Sequence, residues 1–147
     1  MYILAFYIDK NIYGLPLEQV DRVVPALAYT ELPRAPEIVQ GVIDVAGSIV
    51  PVIDFRKRFG LEQKAISIDD QLILAHNKKR PFALFCNQAL GIKEVEELPN
   101  HSIVLVGEQL VKGVARLADG LVLIHDLNLF LTQNEDNTLD EALRHQA

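Results

Sequence analysis

The chain has 147 residues, 14 basic and 20 acidic side chains and a formal net charge of −6; half of it is apolar, 7% is aromatic and tryptophan is absent. That length suits about one domain with a core of its own. The single Cys86 excludes an internal disulfide framework and a multi-thiolate metal site, and the acidic balance argues against nucleic-acid binding, which needs clustered Lys and Arg.

Residues 2–8 (YILAFYI) are apolar, but no basic residue precedes them and Asp9-Lys10-Asn11 follows at once, unlike a secretory signal. No run approaches the ~20 apolar residues of a spanning helix. The expectation is a soluble, cytoplasmic chain without direct membrane insertion. Short segments rich in Val, Ile and Leu read as strands at 2–8, 11–15, 41–45, 48–54, 72–76, 81–86, 110–117 and 120–125. Residues 16–24 fit either a short helix or more strand. Pro51 lacks an amide hydrogen, which predicts an edge strand or a bulge. The basic runs Arg56-Lys57-Arg58 and Lys78-Lys79-Arg80 read as solvated turns or strand ends. Residues 126–132 suit a helical turn capped by Asp126. Residues 133–147 form an acidic tail whose short helix spans 138–145, with Thr138 as N-cap and Glu141 three residues on. Leu139 and Leu143 are expected to pack on the body of the protein.

An internal repeat organises these segments. GVIDVAGSIVPVIDF (41–55) aligns without gaps with GVARLADGLVLIHDL (113–127) at an offset of 72, with five of fifteen positions identical. YILAF (2–6) and YGLPL (13–17) correspond in turn to LILAH (72–76) and FALFC (82–86). The expected fold is all-β: a domain over 1–132 made of two similar five-stranded barrel lobes, one about 1–70 and the other about 71–132. Within each closing block a Gly opens the first strand, a tight turn follows (Ala46-Gly47, or Ala118-Asp119-Gly120), and the return strand ends in Asp. Asp54 and Asp126 are expected to cap whatever comes next.

Chemistry is hard to assemble from the remaining residues. His76, His101, His125 and His145 show no metal-ligand spacing, so no metal and no cofactor are expected. His125 and Asp126 are adjacent, which on a strand sends them to opposite faces. His125 reads as a barrel-strand residue and Cys86 as a buried, inert thiol. No serine has a nucleophile-elbow context, and no phosphate-binding glycine loop is present. The expectation is a protein without catalytic residues that acts by binding.

GVIDVAGSIVPVIDFRKRFGL (41–61) resembles the central signature of CheW-like domains. YGLPLEQVDRVV (13–24), ELPRAPEIVQG (31–41) and GVARLADGLVLIHDLNLFL (113–131) are similar to that family's flanking blocks, so the resemblance spans about residues 2–132. It implies two side-by-side barrels of the Src-homology type. It also implies a non-catalytic scaffold of a bacterial chemosensory array, coupling the regulatory domain of a CheA-type histidine kinase to the cytoplasmic tips of chemoreceptors. Positions matching the family's receptor groove are Val20, Arg22, Gly41, Ala46, Gly47, Ala83 and Gly113. Three depart from the family pattern: Ala46 replaces an Arg, Arg22 replaces a Glu, and Ala83 replaces a Gly. Candidate anchors for the kinase are Val23, Ile43, Val45 and Ile49. Two other readings stay open. One is an adaptor of the same fold serving a pilus, motility or second-messenger pathway without chemoreceptors. The other is a small-ligand-binding or enzymatic β-barrel protein. A deep polar cavity with converging His and Asp favours the latter, and a shallow apolar groove lined by Val20 and Gly41 favours the adaptor.

Overall fold

The computed structural model describes residues 1–96, 104–106, 109–111, 113–118 and 120–145. The leading hairpin of the first repeat is β1 (Tyr2–Ile8) and β2 (Asn11–Pro16). A 3-10 turn at Leu17–Gln19 leads into β3 (Val20–Pro25), which settles the 16–24 segment as turn and then strand. The closing hairpin is β4 (Val39–Val45) and β5 (Ser48–Ile53), followed by the short helix α1 (Phe55–Arg58). The second repeat runs through β6 (Gln71–His76), β7 (Pro81–Cys86) and β8 (Gln88–Glu94). The small hairpin β9 (Val104–Val106) and β10 (Gln109–Val111) comes next, then the closing hairpin β11 (Gly113–Leu117) and β12 (Gly120–Ile124). A 3-10 turn at Leu127–Leu129 and helix α2 (Gln133–Arg144) complete the chain described.

Two five-stranded sheets result, ordered β11-β12-β2-β1-β8 and β3-β6-β7-β5-β4. The lobes are therefore not the two halves of the sequence divided near residue 70. Each sheet joins the leading hairpin of one repeat to the closing hairpin of the other, through a parallel contact: β12 with β2 in the first lobe, β5 with β7 in the second.

This exchange explains the continuous apolar runs. In β1, Ile3 and Ala5 face the small core of the first lobe, while Leu4, Phe6 and Ile8 face a larger core shared between the lobes. In β6, Leu72 and Leu74 fill the second lobe, while Ile73 and Ala75 face the shared core. Strands covered on both sides carry no polar alternation. Both leading hairpins thus lie at the lobe junction.

Pro51 departs from the expected edge position, since β5 lies between β7 and β4. It stands opposite Val42, whose amide and carbonyl both bond to Thr30 rather than to β5. The pair is thus a non-hydrogen-bonded one, and the imide nitrogen points towards β7. The parallel contact there is confined to Val52 opposite Ala83, whereas β12, with Leu123 at the equivalent place, pairs with β2 at three positions.

The predicted caps form. Asp54 accepts from the Lys57 amide at 2.9 Å and Asp126 from the Asn128 amide at 2.9 Å. The N-cap of the C-terminal helix lies six residues earlier than expected. It is Thr132, and Glu135 completes a reciprocal capping box, so Thr138 lies inside the helix. Leu139 and Ala142 are buried and Leu143 packs beside them in the shared core, as expected for an anchored tail.

Candidate functional site

The β4–β5 hairpin presents three of the predicted binding residues, Ala46, Gly47 and Ile49, to solvent. Its turn places Ala46 at φ 51 and Gly47 at φ 90, and the Asp44 carboxylate accepts from the Gly47 amide at 2.8 Å. Two consecutive left-handed residues match the twist of the flanking strands, and Gly47 takes its place without strain. Val45 is half-buried, while Ala46, Gly47 and Ile49 are exposed. Beside them a cleft of about 130 Å³ is lined by Arg22, Val45, Val50, Leu74 and Phe82. The fold therefore brings Arg22, Val45, Ala46, Gly47 and Ile49 to one region of the second lobe. Val20 and Val23 on β3 are half-buried against the shared core.

Four predicted positions lie inside instead. Ile43 is 5% exposed and Ala83 fully buried in the second-lobe core, so Ile43 packs the lobe and is no surface anchor. Gly113 is buried at the start of β11, and Gly41 is buried where a side chain would overlap the Thr30 carbonyl oxygen and lie 2.6 Å from the Tyr29 ring. Gly41 thus admits the neighbouring backbone and lines no open groove. Sequence reasoning also missed an exposed residue. Leu121 is 55% exposed and stands 72 residues after Ile49, which is 48% exposed. The offset of the repeat was the signal that could have found it.

Among the described residues histidine chemistry does not converge; His101 lies outside them. An open cleft of about 580 Å³ at the lobe junction is lined by Glu18, Gln19, His76, Asn77, Lys78 and Asp126, among others. Within it, His76 Nδ1 lies 3.0 Å from Asp21, and Asp126 is taken up by Gln19 and by its own cap. His125 follows β12 rather than lying in it, and its amide continues the parallel contact by donating to the Gly14 carbonyl at 2.9 Å. Its ring is 2% exposed and packs against Phe59, Phe55 and Tyr13, with centroids 4.3, 5.0 and 5.6 Å away. Burial pushes the imidazole down to about 3. Neither ring nitrogen has a hydrogen-bond partner among the described residues. Cys86 is buried and its thiol is pushed up to about 12, first by desolvation and then by nearby Asp70. Among the described residues no group of three or more His, Cys, Asp or Glu could hold a metal ion, and no helix is long and apolar enough to cross a membrane.

Intertwined five-stranded lobes with paired exposed hairpins define a two-lobed β-domain. The CheW-like domain model matches residues 2–135, and the chain belongs to that family. It is 25% identical over 124 residues to the chemotaxis protein CheW of Helicobacter pylori, covering 82% of this chain and 75% of that protein. It is 22% identical over 148 residues to the chemotaxis protein CheW of Klebsiella aerogenes, covering 96% of this chain and 87% of that protein. The scaffolding protein TtCheW from Thermoanaerobacter tengcongensis superposes with a TM-score of 0.77 at 27% identity, covering 91% of this chain and 94% of that one.

Proposed function

We propose that this chain is a contact scaffold of a bacterial chemosensory array, working in the cytoplasm. It joins the regulatory domain of a CheA-type histidine kinase to the cytoplasmic tips of chemoreceptors and carries out no catalysis itself. The observation that carries the reading is the pair Ile49 and Leu121, exposed apolar residues at equivalent places on the closing hairpins of the two lobes. A large side chain held out on a rigid hairpin is a suitable anchor for a protein partner. The relatives named chemotaxis protein CheW and the superposed scaffold support the same reading.

Ile49, with Val45 beside the cleft, serves as the kinase-facing anchor. Arg22, Ala46 and Gly47, in the same region of the second lobe, take the receptor contact in this reading. At Ala46 the methyl group offers none of the five donors of a guanidinium, so receptor contact there is weak. Titration of purified kinase regulatory domain and of receptor-tip fragments against this chain tests the proposal. Kinase binding that Ile49→Asp abolishes, with receptor binding strengthened by Ala46→Arg, is the expected result. Full kinase binding by the Ile49→Asp chain contradicts the anchor. No gain with Ala46→Arg contradicts the assignment of that turn to the receptor.

A further inference from the structure

Two ion networks cross the lobe junction at topologically equivalent places, with opposite polarity. In the first repeat the turn of the leading hairpin, Asp9-Lys10, supplies the acid of the network. Asp9 accepts from Arg56 at 2.9 and 3.0 Å and from Lys64 at 2.9 Å, both on the segment that follows the closing hairpin. In the second repeat the corresponding turn is basic. Lys79 donates to Asp136 at 2.5 Å and to Asp140 at 2.7 Å, and Arg80 bonds the same two carboxylates. Asp136 and Asp140 are one turn apart on α2, so one helix face meets both Lys79 and Arg80. A third contact joins Arg58 on α1 to Glu135 at 2.5 Å, with the Arg58 guanidinium 5.6 Å above the Phe130 ring.

Helix α2 leaves the chain after β12 of the first lobe. Its three acidic partners all bind cations of the second lobe: Arg58 beyond β5, and Lys79 and Arg80 between β6 and β7. Its apolar face meanwhile buries Leu139 and Ala142 in the shared core. The family model ends at residue 135, so residues 136–144 of the helix lie past the matched region.

We propose that α2 is a charge-keyed strap that fixes the two lobes at one relative orientation, and so sets the spacing between the β4–β5 and β11–β12 hairpins. The keying comes from the reversed polarity. At the first turn acidic α2 would meet the Asp9 carboxylate in place of the Lys79-Arg80 cation pair, and basic α1 is repelled by the Lys79-Arg80 turn, so each helix docks on its own side of a nearly symmetric molecule. The strap rests on the reading under Proposed function only for its consequence, the separation of two partner-facing hairpins.

The test uses the full chain. Amide hydrogen exchange is followed over residues 133–144, and a lobe-to-lobe distance distribution is measured between spin labels at Ser48→Cys and Arg116→Cys, both exposed strand positions. Asp136→Lys with Asp140→Lys should lower protection of the helix by about tenfold or more and broaden the distance distribution, while β6 and β7 keep their protection. Adding Lys79→Asp and Arg80→Asp should restore both readouts. A distance distribution that stays narrow in the double variant overturns the proposal, as does a fourfold variant that restores nothing. Loss of protection in both sheets together with the helix also overturns it, by making α2 part of one cooperative core. All readouts come from the isolated chain, so failure to bind a kinase leaves this result standing.

Discussion

Gln19 and Asp126, 107 positions apart, meet at the junction of the lobes. The Gln19 amide nitrogen donates to the Asp126 carboxylate at 2.6 Å while its carbonyl oxygen accepts from the Leu127 amide at 2.9 Å. One nearly buried side chain thereby ties the exit of β2 to the turn beyond β12. From the other side, Asn77 donates to the Leu127 carbonyl at 3.3 Å, and Asn128 accepts from the Lys78 amide at 3.0 Å. The 3-10 turn that launches α2 is therefore held from the leading hairpins of both repeats.

Gln19→Ala should lower the unfolding free energy by about 1–3 kcal/mol, because the buried Leu127 amide loses its acceptor. Urea unfolding monitored by circular dichroism measures this. A change below about 0.3 kcal/mol would mean that water replaces the side chain without loss.

Ile43 and Ile49 are six positions apart on one hairpin and should respond in opposite ways. Ile43→Asp places a carboxylate in the second-lobe core and should prevent stable folding. Ile49→Asp should leave stability within about 0.5 kcal/mol of the parent, as exposed substitutions do. Matched thermal melts decide, and a folded Ile43→Asp chain would contradict the core assignment.

Much of this was legible in the sequence, because the repeat writes a Gly at the start of each closing hairpin and a capping Asp at its end. The exchange of hairpins between lobes was not. Both closing blocks are alike, so nothing in either says which leading hairpin it joins. The available hint was YILAFYI, whose lack of alternation marks a strand covered on both faces. The α2 start was misplaced because Thr-x-x-Glu occurs twice, at Thr132–Glu135 and Thr138–Glu141, and the polar QNEDN between them hides a helical turn. Strand β8 escaped notice because its QALGIKE edge is mostly half-buried or exposed and carries little apolar pattern.

Acid should weaken the fold through His125. Burial lowers its folded value to about 3, beneath an unfolded value near 6.5, so the unfolded chain binds the extra proton first. Stability is complete above about pH 6.5 and is lost as pH falls from there towards 3, at up to about 1.4 kcal/mol per pH unit. His125→Phe should flatten the stability profile over that window. An unchanged slope would show that other groups carry it.

Asp9 acts lower on the same scale. Hydrogen bonds from Arg56 and then Lys64 hold its carboxyl down at about 2, so its contribution is present above the ordinary carboxylate value near 4 and is lost as pH falls through 2. Asp9→Asn should remove that step and reduce the sensitivity of stability to salt at neutral pH. A profile below pH 4 identical to that of the parent would contradict this.

The Ala46 turn carries a small strain, since a residue with a Cβ is held at φ 51. Ala46→Gly should raise stability by about 0.5–1 kcal/mol, read from the midpoint of chemical unfolding. A loss of stability would mean that the entropy of an added glycine outweighs the relieved strain.

The most direct test of the scaffold reading is a sedimentation-velocity titration of this chain with a purified CheA-type kinase regulatory domain. The account predicts a complex that forms with the parent chain and is lost with Ile49→Asp while the variant keeps its thermal melt. Absence of any complex with the folded parent chain would contradict it.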